Sequence, residues 1–419
     1  MRVPVNLSNA FKTEFEPILT DFLLGEGLIP EQESLKSRRY LTRSVAPHVK
    51  TLSELFNRTS TPLGEQTDAI DEESYFTEGS NPANRRLAYL VSFMPCNLFR
   101  VASVWSELAR LGFKWPFSGQ EFKAIEFGAG TASGACGILA GEKFAPLGLP
   151  DRGSFALIEQ SKPALNLGTK WFEKYGTALG QGTFEARPFH RRIELNQPWL
   201  PKNAPKFQLF VMSYFLNECA LSPQVLAEQF VKTVDRHMED GGISIIVEPA
   251  LKLQSRRLLE FRKALLALPE VISGKIPLKL LLPCLGHQAC GALAQEDDWC
   301  HEEVSWWRPE YLRSLDALVG LDRKTLPFSY LVIQKGAAPL EKALPSLSTD
   351  GLRFRLVSPS RPLGQTHEFF ICGQDGKRRA RWRVPENTEI PNRGDILEQV
   401  DHHGDPALTQ IEKAKLISF

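Results

Sequence analysis

Three cysteines lie close together in L-P-C-L-G-H-Q-A-C-G-A-L-A-Q-E-D-D-W-C-H, as Cys284, Cys290 and Cys300. A fourth, Cys372, stands far downstream in H-E-F-F-I-C-G-Q-D-G-K. Thiolates are soft ligands, and four of them can hold an iron–sulfur cluster or a tetrahedral zinc ion. The spacing Cys284-x5-Cys290-x9-Cys300 is not the two-residue spacing of a zinc ribbon, nor a ferredoxin spacing. The metal reading rests on context. Pro283 and Gly286 punctuate the loop, Asp298, Trp299 and His301 flank Cys300, and Cys372 lies in a segment with no other covalent tie. Both metals accept four thiolates, so spacing leaves them open. His287 and His301 are weaker substitutes for one thiolate, because loop histidines are mostly solvated. Cys96, Cys136 and Cys219 sit singly in apolar stretches and read as small core residues.

A second constellation is the turn Glu126-Phe127-Gly128-Ala129-Gly130-Thr131. Gly128 and Gly130 let a backbone approach a ligand closely. The G-x-G-x-x-G spacing puts Ser133 where a dinucleotide fold has its third glycine, so that fingerprint is not met. Glu126 before the glycines suits an amino-acid ammonium, which points to S-adenosylmethionine. Glu159 is placed for the two ribose hydroxyls. Ser213 and Tyr214 end a later strand and line the same crevice. No Asp/Asn-Pro-Pro-aromatic motif for amine methylation is present, and no catalytic base stands out.

These residues need elements to position them. Lys123–Phe127 is predicted as a strand, Ala132–Leu139 as a small-residue helix and Ser154–Glu159 as a strand. The helix Pro163–Lys174, strand Lys206–Met212, helix Pro223–Arg236, strand Ile243–Glu248 and helix Leu251–Leu266 follow. Ile276–Leu282 and Phe328–Ile333 supply two more strands. Strands separated by helices predict a doubly wound, mostly parallel α/β sheet. Ligands then bind outside the carboxyl ends of its strands. Phe15, Ile18, Leu19 and Phe22 share a helical face in the N-terminal region. Polar residues from Asn57 to Asn84 read as loop. After Gly336, short strands at Leu352–Val357, Glu368–Cys372 and Arg379–Val384 predict a small β domain. The expected division is an N-terminal helical region 1–85, a sheet domain 86–335 with a cysteine-rich insertion 283–308, and a C-terminal basic β domain 336–419.

The chain has 419 residues and a formal charge of +1, so it is no polycation, and any nucleic-acid surface is local. Between Arg353 and Arg383 there are eight Lys or Arg, opposed within the segment by Glu368 and Asp375. Arg378, Arg379 and Arg381 are the candidate RNA contacts. Seven cysteines behind a start without an apolar leader predict a reducing, cytoplasmic setting and no disulfide framework. The apolar stretch Leu90–Phe99 reads as too short and too interrupted, at Pro95 and Asn97, for a membrane span.

Taken in order, A-Y-L-V-S-F-M-P, E-F-G-A-G-T, S-Y-F-L-N-E, I-V-E-P, P-C-L-G-H-Q-A-C, D-W-C-H, F-S-Y-L-V-I-Q-K and F-I-C-G-Q-D-G-K resemble the methyltransferase-like family associated with the small ribosomal subunit. Its mitochondrial members are small-subunit assembly factors. The resemblance spans roughly residues 86–394 and implies a class I methyltransferase-like fold that binds S-adenosylmethionine. It also implies a [4Fe–4S] cluster on Cys284, Cys290, Cys300 and Cys372, and work on small-subunit ribosomal RNA by a chain monomeric off the ribosome. An active S-adenosylmethionine-dependent RNA methyltransferase is the second reading. A zinc-stabilised methyltransferase of a protein or small molecule is the third. Three positions depart from the family pattern: Thr131-Ala132-Ser133-Gly134 replaces a Pro-Gly continuation, Ala250 a glycine, and Gly291 a proline.

Overall fold

The computed structural model describes residues 5–58, 82–194, 197–286, 289–347, 351–374, 376–405 and 408–417. The expected loop 57–84 lies mostly outside them, as do His287 and Asp375. Helices α1 (Glu16–Gly25) and α2 (Ala46–Arg58) precede a long pair, α3 (Pro82–Ser92) and α4 (Met94–Arg110). Pro95 sits in the first turn of α4, where its missing N–H leaves no bond unmade. It therefore restarts the helix and does not end the apolar run. This corrects the reading of that stretch as too short: Pro82–Arg110 is long and apolar enough to cross a membrane, yet 83% of its most apolar window is buried inside the protein.

The first sheet runs through β1 (Phe122–Phe127), β2 (Arg152–Glu159), β3 (Thr183–His190), β4 (Phe207–Ser213), β5 (Met238–Glu248), β6 (Leu278–Leu282), β7 (Glu302–Ser305) and β8 (Thr325–Lys335). Its order is β3-β2-β1-β4-β5-β8-β6, with β7 paired to β8. Strands β1 to β5 are mutually parallel, and β8 runs against β5 and β6. This is the class I methyltransferase topology, a mixed sheet with one reversed strand. Helices α5 (Ser133–Phe144), α6 (Lys162–Leu179), α7 (Pro223–His237) and α8 (Lys252–Leu266) cover it, and α9 (Glu310–Val319) follows β7. Alternation in β1 shows the double winding: Phe122 and Ala124 join the core with α4 and α5, while Ile125 and Phe127 join the core with α7 and α8. The N-terminal helix packs on α6, with Phe15 and Phe22 edge-on to Trp171 at 5.8 and 5.3 Å.

The second sheet contains β9 (Arg353–Leu356), β10 (Arg361–Leu363), β11 (Thr366–Gly373), β12 (Gly376–Trp382), β13 (Ile396–Asp405) and β14 (Leu408–Ile417). Its order is β10-β11-β12-β14-β13-β9, and β9 also pairs with β11, so the sheet closes into a small barrel. Phe354, Leu356, Phe369, Ile371, Trp382 and Leu397 fill it. Strands β3, β7, β10, β13 and β14 are not foreseen by the sequence pattern. β3 carries Pro188 and an exposed row, as an edge strand allows, and β13 and β14 are rich in polar residues.

Candidate functional site

The crevice outside β1, β2, β4 and β5 holds the predicted cofactor residues, but it uses them differently from the expectation. Glu126 is buried, and its two carboxylate oxygens accept from Gly134 N and Ala135 N, each at 2.9 Å. It therefore caps α5 and does not face an ammonium. Burial pushes its carboxyl up to about 8, against the lowering effect of those two bonds. Glu159 accepts from Gly130 N at 2.8 Å and Ser161 N at 2.7 Å, so it ties two loops together where the sequence suggested ribose hydroxyls. Glu248 at the end of β5 accepts from Leu216 N at 2.7 Å and Asn217 N at 3.2 Å. Three buried strand-end carboxylates thus hold loop amides, at the places where a parallel sheet directs its ligands.

Gly128 and Gly130 both have left-handed backbones, with φ of 63° and 51°. A side chain at Gly128 would meet the Phe215 ring at 2.9 Å. Phe215 therefore covers the turn. Tyr214 has φ of 64°, a strained value for a bulky residue, held by its N–H to Val247 O at 2.7 Å and by Arg100 stacked 5.6 Å from its ring. The buried hydroxyls of Ser213 and Thr131 have no partner among the described residues. Those orphaned atoms fit a polar ligand; the Phe215 lid and the amide-bound Glu159 do not.

The missed residue of this turn is Gly134. A Cβ there would lie 2.4 Å from the Glu126 carboxylate and 2.7 Å from Val211. The signal was present, since Gly134 follows Gly130 by four residues. Only the strict dinucleotide spacing looked past it.

The four predicted ligands come together. Cys284 follows β6, Cys290 precedes a 3-10 turn at Gly291–Ala294, Cys300 precedes β7 and Cys372 lies on β11. All four line one cavity of about 30 Å³, with Arg262, Trp299 and Lys377. Burial, then the neighbouring sulfurs, push the Cys372 thiol up to about 12. No three described His, Cys, Asp or Glu side chains converge tightly enough to hold one metal ion. Cys96, Cys136 and Cys219 are buried in the core as expected. His301 lines an adjoining cavity with Cys284, Cys300 and Arg355.

The cysteine insertion is pinned from several sides. Arg256 donates to Gln295 O and Asp298 O, both at 2.7 Å, Ser329 donates to Cys300 O at 2.9 Å, and Arg393 donates to His301 O at 2.9 Å. Lys377 on β12 bonds both Asp298 oxygens at 2.6 and 2.7 Å. Gly291 explains its own departure from proline: a Cβ there would lie 2.3 Å from Lys377 N. At that one position the insertion can approach β12 only through a bare backbone.

The basic segment is less available than its sequence suggests. Arg353 pairs with Glu341, and Arg355 is buried against Glu107 and Glu302. Arg378 is buried beside the Phe354 ring at 5.5 Å, which corrects its reading as an RNA contact, since its guanidinium is turned into the barrel. Arg379 and Arg381 remain on the outer face, sharing Glu368 at 4.0 and 2.8 Å.

Among solved structures the chain is similar to the plantazolicin methyltransferase BpumL with SAH, at 10% identity, TM-score 0.33, covering 69% of this chain and 99% of that one. It is also similar to a precorrin-6y C5,15-methyltransferase from Geobacter metallireducens, at 13% identity, TM-score 0.30, covering 56% and 89%. A third is the O-methyltransferase TomG from Streptomyces achromogenes with SAM, at 10% identity, TM-score 0.30, covering 57% and 80%. At these scores they carry no functional argument. No curated protein matches the chain. The family model described as mitochondrial small ribosomal subunit Rsm22 matches residues 85–384, which include the glycine turn, the crevice and all four cavity cysteines. The chain belongs to the Rsm22 family, a small ribosomal subunit family whose fold here is that of a class I methyltransferase.

Proposed function

We propose that this protein is an assembly or maturation factor of the small ribosomal subunit that binds its ribosomal RNA. In this reading Cys284, Cys290, Cys300 and Cys372 hold a [4Fe–4S] cluster. The observation that carries the metal centre is that three cysteines of the insertion and one from the barrel line a single cavity. Zinc and a [4Fe–4S] cluster both accept four thiolates, and the resemblance to the small-subunit family is what favours the cluster. When bound, the cluster would supply cohesion: its binding free energy becomes folding free energy for the seam between sheet and barrel. Anaerobically purified protein should be brown and carry iron and sulfide in equal amounts. Colourless protein with stoichiometric zinc would replace the cluster with the zinc reading.

S-adenosylmethionine is the cofactor the glycine turn would take, with Gly128 and Gly130 lending backbone and Ser213 and Thr131 lending hydroxyls. Glu126, Glu159 and Tyr214 act as positioning residues that shape the loops. Loading the turn requires the Phe215 ring to leave Gly128, so cofactor binding is coupled to movement of the loop after β4. We therefore read the methyltransferase-like sheet as a scaffold first. Calorimetry with S-adenosylmethionine tests this, and tight binding to the unaltered protein would favour the active RNA methyltransferase.

A further inference from the structure

The closed C-terminal sheet has a specific order. Counting β9, β11, β12, β13 and β14 as strands one to five, the ring runs 1-2-3-5-4-1. All its pairings are antiparallel except β12 with β14, the third with the fifth, which is parallel. That combination of order, closure and one parallel pair is the topology of the oligonucleotide-binding OB barrel, with β10 as an insert between strands one and two. Such barrels bind oligonucleotides on the outer face of strands two and three. Topology alone does not assign function, so the face itself must carry the chemistry.

It does. Phe369 and Ile371 point into the barrel, and Phe370 between them points out, 44% exposed, on the same face as the exposed Leu363 of β10. Arg379 is its direct cross-strand neighbour on β12, and Arg381 lies one step along the same face opposite Glu368. Arg361 on β10 is also paired in register with Glu368. Three arginines thus surround one carboxylate, leaving a net positive charge beside an exposed ring. An aromatic platform flanked by cations is the device by which single-stranded nucleic acid is held, the base on the ring and the phosphates on the guanidinium groups. A duplex hides its base faces and cannot use Phe370.

We propose that the outer face of β11 and β12, centred on Phe370, Arg379 and Arg381, is a single-strand RNA platform. The inference rests on the ribosomal RNA reading above and names its surface and mode. The same strand carries Cys372 near its far end, so the strand that reaches the cysteine cavity also presents the platform.

The test uses the full chain, a single-stranded oligonucleotide from small-subunit ribosomal RNA, and the same sequence as a duplex, over a salt series. The single strand should bind more tightly. Phe370→Ala should weaken it by roughly 5- to 150-fold, the conversion of a lost base stack, with the salt slope unchanged. Phe370→Tyr should restore affinity. Arg379→Gln with Arg381→Gln should instead reduce the salt slope by about 0.7 for each phosphate that is no longer neutralised. Unchanged iron content and melting temperature in each variant keep folding out of the comparison. Equal affinity for duplex and single strand, or an inert Phe370→Ala, would overturn the platform while leaving the ribosomal reading standing. Loss of binding only on neutralising the exposed Arg38, Arg39, Arg43 and Lys50 would move the RNA to the N-terminal helices. A wild-type protein that binds neither RNA form would sink both readings.

Discussion

Cys372 is the residue on which the metal reading turns, because of the four thiols it is the one that a barrel strand brings to the cavity. Replacing it with Ser should abolish stable iron and leave the barrel held by protein contacts only. The expected outcome is low iron content and faster proteolysis beyond Gly336. Full iron content with an unchanged digestion pattern would remove Cys372 from the ligand set. Phe215 makes the opposite kind of prediction, a gain. Phe215→Ala should uncover Gly128 and strengthen S-adenosylmethionine binding, whereas Gly128→Val should eliminate it by adding a side chain whose Cβ would lie 2.9 Å from the Phe215 ring. Calorimetry on both variants checks the pair. An alanine variant no better than wild type would show that the lid is not what limits the site.

At the level of elements, the glycine turn and its flanking strand and helix were legible because their signals are local: alternation, then two glycines, then small residues at helical spacing. The cysteine set was legible as well, since residue type carried it where spacing did not. The fates of the basic residues were not. Lys377 finds Asp298 79 positions away and Arg355 finds Glu107 248 away, so a charge tally confined to one segment cannot see what opposes it. The roles of Glu126 and Glu159 were hidden for a related reason. A strand-end carboxylate faces either a ligand or the next loop's amides, and only the path of that loop decides. The barrel's late strands were masked by their polar composition, because a small barrel has a narrow interior and shows more of each strand to water.

Across the whole molecule, the sheet and barrel are joined by buried charge. Glu107 on α4 is fully buried and bonds Arg110 at 2.6 Å and Arg355 at 2.9 Å; Arg355 also bonds Tyr330 at 3.2 Å. Burial pushes the Glu107 carboxyl up, but the two guanidinium groups outweigh it and hold it at about 2. A depressed carboxyl stabilises the fold above its ordinary value of 4.5 and loses that contribution as the pH falls towards 2. Glu126 and Glu248, both raised to about 8 by burial, act in the reverse sense and withdraw stability as the pH rises from 4.5 through 8. Arg355→Met should therefore cost about 3–5 kcal/mol at neutral pH, and the deficit should shrink in acid as Glu107 protonates. Denaturant unfolding of both proteins across that range measures it. A deficit independent of pH would mean that Arg355 acts through packing and not through charge.

The Glu107–Arg355 pair also has a meaning in time. A ribosome adds about 5–20 residues each second, so the 248 positions between the partners take roughly 12–50 s to make. During that interval Glu107 has emerged and its distant guanidinium does not yet exist. The nascent first layer can close early only with Arg110 as its sole cation there, or with the carboxyl still wet or protonated. Final dehydration of the seam must wait until β9 has left the exit tunnel, so the two layers can be joined only after every strand of the first sheet has been made.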